Sequence, residues 1–430
     1  MKKLISVMIK VMKLLVAALI LWGGYVWFKS KSSLLYDASQ KKRTALASAA
    51  QEAPVEIAAL TWEGSTDFQD GVLMAVEEIN EAGGILMHHE GKKSSRKIKV
   101  HMFDDSDPHA AKKVAKNENI VAVFDYKGSQ RAIRDSITYE RHGILYFTCV
   151  ATHRNVTEHG FSYVFRTIPT DVQFSREIVK FALSFGLKNI VFLHGRSLYA
   201  TGFAELFRQN VEDIFLEWKF DQKQNRLNIV FEKSYWSGEQ DLREVISAFI
   251  KLDYDAIVIA DYVTSASYLI KQIREMGSNK MIIGSETLDN TTVLKVAGDD
   301  ANGTYMTSVY EPLFITEANQ KAYAFIHRFE KRYGRPPSYW VSQAYEAVHI
   351  LAQVYEKSGR STPIVAVSTL KVYEGWKGLL GDYSFDIDGD IIGKKIFVKK
   401  IEDGIIKPVK IPAGDFALKI SKNDGTIYDL

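Results

Sequence analysis

The stretch "VAVFDYKGSQRAI", residues 121–133, decides how the chain is read. Val121 to Phe124, with Ile120 before them, form a short apolar run of the kind buried on both faces of a parallel sheet. Asp125 to Gln130 break it. Ser129 is placed as a helix N-cap, and Ala132, Ile133, Ile137 and Tyr139 follow near helical spacing. A strand that feeds a helix this directly leaves free backbone N–H groups at the helix start, where an anion is favoured. An ordinary strand-to-helix loop has the same pattern, so the rest of the chain must decide.

Working outward, strands and helices alternate from Val55 onward. "VEIAALTW" (55–62) reads as a strand. "DFQDGVLMAVEEINEAGG" (67–84) reads as a helix with Phe68, Val72, Ala75, Val76 and Ile79 on one face and Gly83 and Gly84 as its stop. "RKIKVHMFD", "IVAVF", "GILYFT" and "YVFRT" continue the series. A second series includes "NIVFLH", "DAIVIA", "KMIIGS" and "TYMTSVY". This alternation predicts α/β layers with parallel sheets. The two series echo each other: "IVIADYVTSASYLI" (257–270) repeats apolar strand, Asp-Tyr, polar residues and helix, with Asp261 and Tyr262 matching Asp125 and Tyr126. Two doubly wound lobes are therefore expected, with ligands outside the carboxyl ends of the strands.

Bulk properties narrow the function. The chain has 430 residues, 46% of them hydrophobic and 25% charged, which suits two or three globular domains. A net charge of +3 and the lack of a basic–aromatic motif argue against nucleic acid. The single cysteine, Cys149, excludes an intramolecular disulfide and a multi-cysteine zinc site; no His-based relay is evident beside it, His153 being close in sequence only, and it reads as a buried small hydrophobe. "MHHEGKKSSR" (87–96) lacks the spacing of a zinc helix and reads as an inserted hairpin. "DIDGD" (386–390) is half a calcium loop, with Phe397 where the last ligand belongs, and reads as a tight turn. The sequence has no GxSxG, no Walker motif and no GxGxxG after the first strand. No enzyme, metal or cofactor is expected.

The N-terminus is a targeting signal. Lys2, Lys3, Lys10 and Lys13 precede an apolar run from Leu14 to Phe28, and Lys29 and Lys31 follow it. The run falls between a signal-peptide core and a span of ~20 residues. Residues 1–30 are read as an uncleaved membrane anchor entering the bilayer through 11–28, with a removed signal peptide as the alternative. "ALASA" (45–49) looks cleavable but lies far downstream. Residues 31–53 are polar, Ala/Ser/Lys-rich and read as a flexible tether. Either reading puts the bulk of the chain on the extracytoplasmic face.

Six stretches occur in order at suitable separations: "GVLMAVEEINEAGG", "DDSDP", "YVFRTIPTD", "GLKNIVFLHGRSLYATGFAELF", "YGRPPSYWVSQAYEAVHIL" and "GLLGDYSFDIDGD". Over roughly 54–405 the chain resembles the type I periplasmic solute-binding proteins of branched-chain amino-acid ABC transporters, the leucine/isoleucine/valine-binding group. The resemblance implies three crossings between lobes, near Thr167–Asp171, near Gly303–Ser308 and within about 378–395. Lobe one would hold 54–170 plus 306–380, and lobe two 171–305 plus 381–430.

The resemblance also implies roles. A ligand carboxylate would be held by Ser129, by the backbone of Ala151 and by Thr152. Glu286, in "MIIGSETLDN", would take the ammonium. Tyr199 and Tyr262 would close over the ligand from lobe two. A helix N-terminus favours a carboxylate by ~0.3–1 kcal/mol, and each charge-assisted hydrogen bond adds ~1.5–3 kcal/mol. The implied ligand is an amino acid with an apolar side chain, although the same grip suits aromatic or other small carboxylates. The implied partner is an ABC permease, or a membrane sensor if the anchored domain reports rather than feeds. Three features depart from the family. The loop "TWEGSTDFQDG" is short, with only Trp62 as an aromatic candidate; Asp125 replaces a typical Gly; and Lys127 has no counterpart, so that a charge pair at the cleft mouth either alters ligand choice or is merely solvated.

Overall fold

The computed structural model describes residues 38–49, 52–62, 66–89, 91–217, 226–311 and 320–409. The proposed anchor, 1–30, lies outside the described residues. Among the described residues no helix is long and apolar enough to cross a membrane.

The chain folds around two sheets. The first has five parallel strands in the spatial order Ile98–Asp104, Val55–Thr61, Ile120–Asp125, Leu145–Thr148, Val164–Arg166. All six residues of Ile120–Asp125 are buried, as a strand covered on both faces requires. Helix Asp67–Glu81 buries the predicted face and packs against helix Tyr339–Ser358. The approach is close: a Cβ at Gly71 would lie 2.4 Å from the Val341 carbonyl oxygen. The second sheet runs Asn228–Tyr235, Asn189–Gly195, Ala256–Ala260, Met281–Gly284, Thr304–Ser308 in parallel. The antiparallel strands Phe397–Glu402 and Ile405–Pro408 complete it. The α/β architecture with parallel sheets is thus as expected.

Two boundaries differ from the sequence reading. The small sheet Trp376–Lys377, Asp382–Phe385, Ile391–Ile392 buries Trp376, Tyr383, Phe385 and Ile391 in the first sheet's core, so residues 381–392 go with lobe one rather than lobe two. Conversely, Thr304–Ser308 pairs within the second sheet and Val309 and Tyr310 pack in its core. Residues 306–310 therefore go with lobe two. Hydrophobic partners, not the turn motif, set these limits. Residues 38–49 are also not a tether: they form a helix against the first lobe.

Where the chain passes between lobes, buried charges tie the crossings together. Lys394 Nζ donates to the Thr167 carbonyl at 3.1 Å and to Glu346 Oε2 at 2.7 Å, while Glu346 Oε1 accepts from Leu379 N and the Tyr383 hydroxyl. Lys399 pairs with Asp289 at 3.0 Å beside the next crossing. Buried pairs of this kind depend on full hydrogen bonding, which specifies register more than it adds stability.

Candidate functional site

The site lies where the carboxyl ends of both sheets' strands face each other. On lobe one, Ser129 is not the N-cap expected from sequence. Gly128 occupies that position with extended backbone, and Ser129 is the first helical residue of Ser129–His142. Its hydroxyl is thereby released from capping and accepts from His153 N at 3.4 Å. Lobe two comes within reach here: a Cβ on Gly128 would lie 3.2 Å from the Tyr262 hydroxyl.

The next loop follows Leu145–Thr148. Ala151 and Thr152 are buried on it. Ala151 N donates to Thr148 Oγ1 in a long bond of 3.4 Å, and the Thr152 carbonyl accepts from Asp171 N at 2.9 Å. Arg166 holds the loop from behind, donating to the His153 carbonyl at 2.8 Å, to Thr157 Oγ1 at 2.6 Å and to Asp390 Oδ1 at 2.7 Å. Asp386, in the 386–390 turn, accepts the backbone N–H groups of Asp388, Gly389 and Asp390. Among the described residues no cluster of His, Cys, Asp and Glu is arranged to hold a metal.

On lobe two, Glu286 opens a 3-10 turn after Met281–Gly284 and is buried. The Tyr199 hydroxyl donates to Ser285 Oγ at 2.8 Å and reaches Glu286 Oε2 at 3.4 Å. Tyr199 stacks on Tyr262 with centroids 5.6 Å apart. Tyr199 is buried, whereas Tyr262 is 39% exposed, as a residue at the cleft edge would be. Trp62 is half exposed.

The structure adds a residue that sequence reasoning used only to mark a crossing. Asp171, the first residue of helix Asp171–Ser184, is fully buried and neither carboxylate oxygen has a hydrogen-bond partner among the described residues. Burial pushes its acid upward, opposed by the adjacent Thr152 hydroxyl and by Arg166. Burial likewise pushes Glu286 upward, the Asp171 charge adds to the effect, and its own backbone N–H and the Tyr199 hydroxyl oppose it. Two buried carboxyl groups therefore sense each other inside the protein. The signal was present in "YVFRTIPTD", but an acid in a helix's first turn is ordinarily explained by the dipole alone.

The Asp125–Lys127 pair proves to lie behind the loop rather than at the cleft mouth. Lys127 is buried, with Nζ 2.7 Å from Asp135 Oδ2 and 3.4 Å from Asp105 Oδ1. Asp125 accepts from the Tyr146 hydroxyl, and burial pushes it up to about 7. Burial also pushes the Cys149 thiol up to about 12, which leaves it protonated and unreactive.

A family model described as periplasmic binding protein matches residues 60–404. The chain is 27% identical over 326 residues to a leucine-, isoleucine-, valine-, threonine- and alanine-binding protein of Pseudomonas aeruginosa, covering 75% of this chain and 81% of that one. It is 27% identical over 334 residues to a leucine-specific-binding protein of Salmonella typhimurium, covering 77% and 84%. Among solved structures it resembles the branched-chain amino acid transporter substrate-binding protein LivJ of Streptococcus pneumoniae in complex with isoleucine. That match has 25% identity and a TM-score of 0.69, over 83% of this chain and 99% of that one.

Proposed function

Because the chain belongs to the periplasmic binding protein family, we propose that it captures an amino acid with an apolar side chain between its two lobes. On this reading it acts on the extracytoplasmic face and delivers the ligand to an ABC permease. The observation that carries the reading is the pair Glu286 and Asp171: both are buried and neither makes an ion pair among the described residues. An unpaired buried charge is costly, and a ligand ammonium would relieve two at once. Lobe one contributes the Ser129 hydroxyl, the Ala151 backbone and the start of helix Ser129–His142, with the Thr152 hydroxyl beside Asp171. That wall offers donors to a carboxylate. A zwitterion is thus matched from both sides, and it stabilises the closed state because only that state presents both walls. Tyr199 and Tyr262 would cover the ligand from lobe two.

Two carboxylates disfavour a benzoate-like acid, which would supply no cation. Relatives named for leucine binding support the same choice. The apolar N-terminal run, with its flanking lysines, supports anchoring through residues 11–28. An anchored receiver would also suit a membrane sensor in place of a permease.

The test is a thermal-shift comparison of the full chain in detergent, wild type and Glu286→Gln, against leucine, isoleucine and benzoate. Wild type should be stabilised by the amino acids and not by benzoate. Glu286→Gln should lose about 100-fold in amino-acid affinity, or ~2.7 kcal/mol. Equal responses of both proteins to leucine would remove the ammonium assignment, and stabilisation by benzoate as strong as by leucine would remove the amino-acid class.

A further inference from the structure

The helix at 38–49 ends in an unusual burial. Arg43 and Ala47, four residues apart on one face, point into lobe one, and Arg43 is wholly buried. Its guanidinium donates to four carbonyl oxygens: His142 and Asn117 at 3.0 Å, Ala115 at 3.1 Å, and Ile120. Gln40 Nε2 adds a bond to the Glu140 carbonyl at 3.0 Å, and Lys42 pairs with Glu118 at the surface. These acceptors are not scattered. Ala115 and Asn117 end helix Ala110–Lys116, and Glu140 and His142 end helix Ser129–His142. Helix carboxyl ends carry unsatisfied carbonyls and partial negative charge, so one cation serves two of them. Gly143 turns the second helix off with φ +63, and a Cβ there would lie 2.8 Å from the Gln40 side chain.

The place of these contacts matters. Ile120 begins a strand whose far end leads to Ser129, so the helix at 38–49 sits at the pole of lobe one opposite the cleft. Helix Ser129–His142 presents Ser129 to the site at one end and is gripped by Arg43 at the other, ~21 Å away at 1.5 Å per residue.

We infer that residues 38–49 are a clasp that fastens the cleft-distal pole of lobe one to the N-terminal segment. The contacts alone carry the clasp; that the segment is fixed to a membrane rests on the anchor reading above. Together they make lobe one the fixed half and lobe two the moving half, with the cleft turned away from the bilayer. Cleavage at "ALASA" would cut inside this helix and strip four carbonyls of their donor, so the working protein keeps residues 38–49.

Trypsin reads the clasp directly, because Lys41, Lys42 and Arg43 are adjacent cleavage sites. In the full chain reconstituted in lipid vesicles, cutting at 41–43 should be at least about 100-fold slower than in a free peptide of residues 36–52. Arg43→Met and, separately, Ala47→Asp should speed cutting at Lys41 and Lys42 by at least about tenfold while the leucine-induced thermal shift is kept. Wild-type cutting at the peptide's rate overturns the clasp. So does an N-terminus past Ala49 in protein recovered from cells, or unchanged protection in both variants. Alkaline carbonate extraction reads the anchor separately: release from membranes with protection intact refutes the anchor and leaves the clasp standing.

Discussion

At the ends of Ile120–Asp125 and Ala256–Ala260 the chain writes the same dipeptide, Asp125-Tyr126 and Asp261-Tyr262. Both aspartates are fully buried, and each keeps one oxygen in a hydrogen bond. Asp125 accepts from Tyr146, and Asp261 accepts from Ser237 at 2.7 Å and from Tyr262 N at 2.8 Å. Behind the lobe-one loop the surroundings are ionic, with Lys127 set between Asp135 and Asp105. Behind the lobe-two loop the partners are hydroxyl and backbone groups, with Thr287 Oγ1 donating to the Asp261 carbonyl at 2.7 Å. The front surfaces reverse this order. Lobe one shows the cleft hydroxyls and N–H groups; lobe two shows it Glu286, with Asp171 at the crossing. Identical strand-end grammar therefore does not fix chemistry. A buried acid well supplied with protein donors supports a loop, whereas Asp171, with no hydrogen-bond partner among the described residues, and Glu286, with one long bond from Tyr199, are available to a ligand.

That distinction breaks or holds first at Asp171. Asp171→Asn should lower leucine affinity by about 100-fold, ~2.7 kcal/mol, because a charged acceptor is lost. The same change should raise the melting temperature of the unliganded protein, since an uncompensated buried charge is removed. Calorimetric titration and ligand-free melting measure the two effects. A fall in both would mean Asp171 is structural. The pH dependence has a definite sign. Burial pushes both Asp171 and Glu286 above the ordinary carboxylate range, so each is partly protonated near neutrality, and an ammonium favours the ionised forms. Affinity for leucine should then rise as pH increases from 5 to 8, with proton release on binding. The rise should be flatter in Asp171→Asn.

The donor wall should be somewhat less sensitive. Ser129→Ala combined with Thr152→Ala removes two hydroxyls but leaves the backbone N–H groups and the helix dipole. A loss of about 30-fold in leucine affinity, ~2 kcal/mol, is expected with little change in unliganded melting. Unaltered affinity in the folded double variant would place the carboxylate elsewhere.

How much of this was legible follows from the same physics. Apolar runs such as 120–124 and the face Phe68, Val72, Ala75, Val76, Ile79 announced the strands and helices, because burial writes itself into periodicity. Ser129, Thr152, Tyr199 and Glu286 were named from motifs in register, and all four are buried where the strand ends meet. Asp171 was passed over because its environment, not its sequence neighbours, leaves it unpaired. The helix at 38–49 is not legible as one because its inward position is an arginine, and a buried arginine breaks the apolar pattern that marks a helix face. Lys127 was placed at the cleft mouth for a related reason: its partners Asp105 and Asp135 lie 22 residues before it and 8 after it, on different elements. Sequence spacing does not reveal which of them it meets.

The smallest effect sharpens the contrast between the two aspartates. Burial raises Asp125 to about 7, against ~3.9 in an unfolded chain. Between those values the folded protein holds a proton that the unfolded chain has released. Asp125 therefore favours folding most at low pH, and this contribution is lost as pH rises through about 7. An asparagine keeps an acceptor for the Tyr146 hydroxyl and does not ionise. Asp125→Asn should match wild type in urea unfolding near pH 4 and exceed it by about 1 kcal/mol or more at pH 8. Asp261 is also raised by burial, but two donors hold its carboxylate. Asp261→Asn leaves those donors a weaker acceptor, so it should bring no gain at pH 8. Equal gains at both positions would show that burial alone, and not the partners behind each loop, governs these strand ends.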